Sequence, residues 1–201
     1  MLHRDEIARS LTGAWRLFLD RPDAMGCFDV SADGFWRSFY AIILIVPAYA
    51  LIALSEWTQI LADPVAAAAF QGNAFIFNKG LIAGFDWITL PVILALAAPM
   101  LGINRTYAAF IVARNWGAVL SNAIAGIVPI MFLFGMVGSG AANIIFIVIL
   151  IVVIRYNFLI ARRALGAEVG LAVGIVIGDI AISLAIFGTA NRIISYGPAL
   201  L

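Results

Sequence analysis

"VGLAVGIVIGDIAISLAIFGTA" runs from Val169 to Ala190 with a single charged side chain, Asp179. As a helix this stretch is about 33 Å long, and a membrane span has roughly 30 Å of hydrocarbon to cross. It therefore reads as a transmembrane helix. Four further stretches of the same kind precede it: Phe39–Leu54, extendable to Trp36–Trp57, then Leu81–Leu101, Tyr107–Val137 and Ala141–Leu159. The third is too long, at about 46 Å of helix. It must tilt, protrude or break, and "ARNWG" (Ala113–Gly117) is the expected place for a break.

Composition agrees with a chain built for lipid. Of 201 residues, 64% are hydrophobic and 11% charged, against about 25% charged in a soluble domain. The expected fold is all-α, a polytopic membrane protein with five transmembrane helices and an N-terminal amphipathic interfacial helix. Residues 1–35 form a cytoplasmic amphipathic segment and 36–201 the membrane domain. A net charge of +1 gives no basis for nucleic-acid binding. The lone Cys27 excludes an intramolecular disulfide, and the lone His3 argues against a histidine-based metal or catalytic site. No cofactor is expected.

Basic residues set the orientation. Arg4, Arg9, Arg16, Arg21, Arg37, Arg105, Arg114, Arg155, Arg162 and Arg163 fall on one side of the five spans, Lys79 and Arg192 on the other. The positive-inside rule then puts the N-terminus in the cytoplasm and the C-terminus outside. The Arg-rich, Lys-poor composition suggests a bacterial cytoplasmic (inner) membrane.

Two segments outside the spans have helical signatures. In residues 2–20, Ile7, Leu11, Trp15 and Phe18 recur at helical spacing, and Pro22 follows. This helix either lies on the inner leaflet, where it can dock a partner, or packs against the bundle's own ends. In the loop from Thr58 to Gly80, "ADPVAAAAF" places Asp63 as N-cap and Pro64 at the first helical position.

Span five carries a row of glycines, Gly166, Gly170, Gly174 and Gly178, at four-residue spacing. Residues four apart share a helix face, and small residues let membrane helices approach closely. Packing inside the bundle is the expected use, and a homo-oligomer interface the alternative.

Intramembrane polar residues are functional candidates by default. Here they are Asp179, Arg114, Asp86, Asn122 and Asn143, with Asn115 beside them. Asp179 sits near mid-bilayer and needs a proton or a partner. Arg114 reaches it if span three is continuous, and Arg155 is the second choice. Asp86 and Asp179 together raise an aspartyl-protease reading. Such intramembrane enzymes use Tyr-Asp and Gly-x-Gly-Asp motifs, yet Phe85 and Val176 occupy the Tyr and first Gly positions. No metalloprotease, serine-hydrolase or phosphate-loop motif is present. The chain reads as non-enzymatic.

The middle of the chain, "NRTYAAFIVARNWGAVLSNAIAGIVPI", has a short basic stretch followed by aromatics and a proline within a span. With a cytoplasmic N-terminal segment, five spans and an outside C-terminus, it resembles the bacterial branch of the Ypt-interacting-protein (Yip) membrane domain family over residues 36–195. The eukaryotic Asp-Leu-Tyr-Gly-Pro signature is absent from span one, where "FYAIILIVPAYAL" stands. The resemblance implies a non-enzymatic role in membrane organisation or trafficking and assigns no site residues. The expected function is thus a scaffold or accessory subunit of a larger assembly, partnered by the bilayer and by another membrane protein or a second copy. The alternative is a small transport or channel subunit, suggested by the intramembrane polar groups and by Pro47, Pro91 and Pro129 within spans.

Overall fold

The computed structural model describes residues 3–196, which form helices and short connections, with no strand among the described residues. In chain order the helices are α1 (Arg4–Phe18), α2 (Ala32–Ser38), α3 (Ile42–Ala62), α4 (Pro64–Ala69), α5 (Gly72–Leu101), α6 (Tyr107–Ala125), α7 (Ile127–Leu133), α8 (Ser139–Leu165) and α9 (Val169–Tyr196). Five stretches are long and apolar enough to cross a membrane: Ala32–Ala62, Gly72–Leu101, Tyr107–Leu133, Ser139–Leu165 and Val169–Arg192. The links at 102–106, 134–138 and 166–168 are short, so successive spans run antiparallel.

The apolar runs mark the spans but understate their length. α5 begins at Gly72, nine residues before the expected Leu81. Polar partners carry its first turns: Lys79 pairs with Glu56 of α3, and Asn78 Nδ2 donates to Asn191 Oδ1 of α9 at 2.9 Å. Asp63 caps α4, its carboxylate accepting from the Val65 and Ala66 amides.

Span three does break, but not at Ala113–Gly117. α6 is continuous to Ala125, and the interruption comes at Gly126, three residues before Pro129. The proline ring cannot fit behind the carbonyl four residues earlier in a straight helix. The ARNWG stretch instead lies in the best-packed part of the chain. Trp116 is buried, Asn115 Nδ2 donates to Ser38 Oγ at 3.0 Å, and Gly117 allows α8 to approach. A Cβ on Gly117 would stand 2.5 Å from Ile160 Cδ1.

The buried core lies toward one end of the bundle. It comprises the second half of α5 (Leu90, Leu94, Ala98), the first half of α6 (Phe110–Ala113, Trp116), the second half of α8 (Tyr156, Ile160, Ala161, Ala164) and the start of α9 (Ala172, Ile175). α1 closes this end, packing on α6 and α8. Its buried residues are Glu6, Ser10, Gly13, Ala14 and Leu17. That face is rotated from the one the apolar spacing suggested, with Ile7, Leu11 and Phe18 flanking it and Trp15 half-exposed. Small residues win the contact because α1 lies close to its neighbours. Tyr156 Oη donates to the Ala14 carbonyl at 2.8 Å, and Arg37 Nε donates to both Glu6 carboxylate oxygens at 2.9 Å. At the end of α1, Asp20 takes a left-handed conformation (φ 57°) and accepts from Arg163 Nε at 2.8 Å.

The opposite half of the bundle is more open. In α8, Ile144, Ile147, Val148 and Ile151 are all more than half exposed, an apolar face suited to hydrocarbon.

The glycine row does not pack inside the bundle. Gly166 is in the turn after α8 (φ 61°), and Gly170 and Gly174 are exposed. A Cβ at Gly166, Gly170, Gly174 or Gly178 would meet no atom within 4 Å. α9 buries Ala172, Ile175 and Val176 instead. A small-residue stripe shows where close approach is allowed, and here the chain's own helices do not use it.

Candidate functional site

Three charged groups in apolar surroundings come together between α5, α6 and α9. α6, unbroken through Arg114, carries that side chain into the bundle. Its Nη2 lies 3.3 Å from Asp179 Oδ1 on α9 and 3.5 Å from the Asp86 carbonyl oxygen on α5. Ser183, one turn after Asp179, donates to Asp86 Oδ1. Each carboxylate thus has a partner, and α5, α6 and α9 are tied together at one level. The Arg114 and Asp179 side chains are 13% and 23% exposed, so this pair is held largely away from its surroundings.

Beside the cluster lies a cavity of about 390 Å³. Its walls are α3 (Ile45, Tyr49) and α5 (Lys79, Ala83, Asp86, Trp87), and its floor is α6 (Arg114, Ala118, Asn122). The packing explains why it exists. α3 rests on α6 and α7, α5 rests on α9 and more lightly on α6, and α3 and α5 do not pack extensively on each other. They meet at the end away from α1, where Trp57 stacks edge-on with Phe75 and Phe70 and where Lys79 pairs with Glu56. Exposed Val46 and Ile76 sit at the cavity's rim, so it opens sideways between the two helices.

Two residues lining the cavity hold a buried N–H with no hydrogen-bond acceptor, Arg114 Nη1 and Trp87 Nε1. Buried donors are nearly always satisfied in folded proteins.

Of the residues singled out from sequence, Asp86, Arg114 and Asp179 form the cluster, and Asn122 lines the cavity while donating to the Ala118 carbonyl at 2.9 Å. Asn143 is elsewhere, exposed on α8 beside a separate cleft formed with α3 and α7. Arg155 is exposed. Asn115 serves the α2–α6 contact. Sequence reasoning passes over Tyr49, Lys79 and Trp87. Lys79 and Trp87 look like ordinary residues of a membrane boundary, yet both line the cavity.

Comparison with known proteins adds no constraint: no family model, curated protein or solved structure matches the chain.

Proposed function

We propose that this protein is a small, non-enzymatic membrane subunit that binds an amphiphilic ligand within the bilayer, in a transport or channel-accessory role. One observation carries the reading: a sideways-opening cavity of about 390 Å³, mainly apolar but lined also by Lys79, Asp86, Arg114 and Asn122, sits beside three charged side chains that converge between the long apolar helices α5, α6 and α9. Its volume is within the range of about 300–1,000 Å³ typical of small-molecule sites. The non-enzymatic part rests on the same geometry. Paired acids that share a proton need direct contact, whereas here Arg114 engages Asp179 and Ser183 engages Asp86.

In this proposal the chain lies in a bacterial inner membrane with α1 on the cytoplasmic side. The arginines clustered at the α1 end favour that orientation. α1 is an amphipathic interfacial helix, with half-exposed Trp15 at headgroup level. The Yip-like order of segments is compatible with this placement.

A second reading, a scaffold within a larger assembly, is favoured by the outward-facing Gly170 and Gly174 of α9, which leave that backbone accessible to a neighbouring helix.

Ligand retention tests the first reading. Protein purified in mild detergent and extracted with solvent should release a near-stoichiometric amphiphile detectable by mass analysis. Ala83→Trp, which fills the cavity, should lose it. Equal retention by the two proteins, or no enrichment over bulk lipid, defeats the proposal.

A further inference from the structure

We infer that the cavity takes a monovalent organic cation, a quaternary ammonium or similar charge on an apolar chain, with the Asp86 carboxylate as its counter-ion. This inference rests on the binding role proposed above and adds the chemistry of the ligand.

The first argument is charge balance. The ionisable side chains that line the cavity or pair with its lining are Tyr49 and Glu56 on α3, Lys79 and Asp86 on α5, Arg114 on α6 and Asp179 on α9. Lys79 pairs with Glu56, and Arg114 pairs with Asp179. Both bases of the lining are therefore already matched to a carboxylate. Asp86 is different, for its side chain forms no ion pair among the described residues. Arg114 does approach it, but Nη2 reaches the Asp86 backbone carbonyl at 3.5 Å and the Asp179 carboxylate at 3.3 Å. What the Asp86 carboxylate holds is the Ser183 hydroxyl, on Oδ1. A hydroxyl supplies a hydrogen bond and no charge. With every acid ionised, three acids face two bases and one negative charge is left over.

The second argument is depth. Asp86 lies 14 residues beyond Gly72 in the 30-residue α5, about 21 Å along a helix of about 45 Å. An unbalanced carboxylate at that depth in a membrane is strongly disfavoured, so a proton or a cation must supply the missing charge. A proton needs no room, whereas a cavity of about 390 Å³ opens beside this side chain. A metal ion would need several oxygen or nitrogen ligands around it, and no group of three or more His, Cys, Asp or Glu among the described residues could hold one. An organic cation needs a single counter-charge and space.

The third argument is the lining itself. Tyr49 and Trp87 contribute aromatic surface, which attracts organic cations. Ile42, Ile45, Val46 and Ile76 make an apolar track toward the exposed rim between α3 and α5, where a hydrocarbon chain can continue into lipid. An anionic head would meet the charge of Asp86, and a neutral head would leave it unbalanced.

The test uses the full chain in phosphatidylcholine nanodiscs and a photoreactive diazirine analogue of hexadecyltrimethylammonium. Labelled peptides should map to residues 42–50 and 76–87. Four competitors share a sixteen-carbon chain and differ in the head: hexadecyltrimethylammonium, methyl palmitate, hexadecanesulfonate and hexadecane. They are compared at equal mole fraction in the lipid, which removes differences in partitioning. The ammonium should displace the probe at mole fractions at least tenfold below the other three. Asp86→Asn should remove that advantage, and Asp86→Glu, which keeps the charge, should retain it. Equal or better competition by methyl palmitate, the sulfonate or hexadecane overturns the ligand class and leaves the binding role standing. An advantage that survives Asp86→Asn overturns Asp86 as the counter-ion. Labelling no stronger than in Ala83→Trp defeats the inference and the binding role together. Where the Asn variant does not fold, the ranking on the unaltered protein decides the ligand class.

Discussion

Removing Asp179 tests whether the cluster holds the bundle together. At 3.3 Å and an effective dielectric of about 20, the Arg114–Asp179 attraction is worth about 5 kcal/mol. Desolvation of both groups consumes much of that gain, but truncating one partner strands the other, at a typical cost of about 3–5 kcal/mol. Arg114 keeps the Asp86 carbonyl at 3.5 Å, so Asp179→Ala belongs at the lower end, about 3 kcal/mol. Asp179→Asn retains an acceptor and should cost less. Replacing both members with apolar residues, Arg114→Leu with Asp179→Leu, removes the stranded charge and should recover much of the loss. The assay is a double-mutant cycle on unfolding by SDS in mixed micelles, followed by helicity and tryptophan fluorescence. A coupling energy below about 0.5 kcal/mol, the level seen for independent sites, would refute the pair as a structural tie.

Four further outcomes follow from the same structure. Gly117→Val should destabilise by about 1–3 kcal/mol through overpacking against Ile160, whereas Gly174→Leu should leave the SDS midpoint of the monomer unchanged; equal effects would contradict the outward placement of α9's glycines. Glu6→Gln should weaken the hold of Arg37 on α1, read as faster tryptic cleavage after Arg9 and Arg16 in folded protein. The hydrogen bond and charge of Arg163 hold the Asp20 carboxyl below its ordinary value of 3.8, so its small contribution is present above that pH and is lost as pH falls through the lowered value. The acid limb of a stability-versus-pH curve should accordingly be shallower in Asp20→Asn. Cys27 should resist an impermeant thiol reagent in intact spheroplasts and react once they are opened; labelling without opening would reverse the proposed orientation.

The spans are legible because an apolar run of twenty residues is too long for an ordinary core helix and matches the thickness of hydrocarbon. Their ends are not, because α5 continues past its apolar run on polar partners from α3 and α9, which no local pattern reveals. The break in the third span falls outside the expected stretch for a similar reason. A charged and amide-bearing stretch looks like an interface until Asp179, Ser38 and Ile160 are seen around it. The glycine row is visible, but a stripe on one helix reads identically whether it faces the bundle or its surroundings. Within the site, Asp86, Arg114 and Asp179 stand out as charges in apolar runs. Trp87 does not, since an aromatic near a span end usually anchors it there, and Tyr49 carries no charge to mark it within its apolar run. The cavity itself has no signature in the sequence, because it arises from two helices that fail to meet.

The contact between Tyr156 and Ala14 has a consequence for the order of assembly. Its two residues are 142 positions apart in the chain. At roughly 5–20 residues per second of synthesis, α1 emerges about 7–30 s before the part of α8 that covers it. During that interval its small-residue face, with Glu6 upon it, has no finished surface to lie against. α1 is thus made well before it can be fully seated, and the Tyr156 contact forms only once α8 is in place.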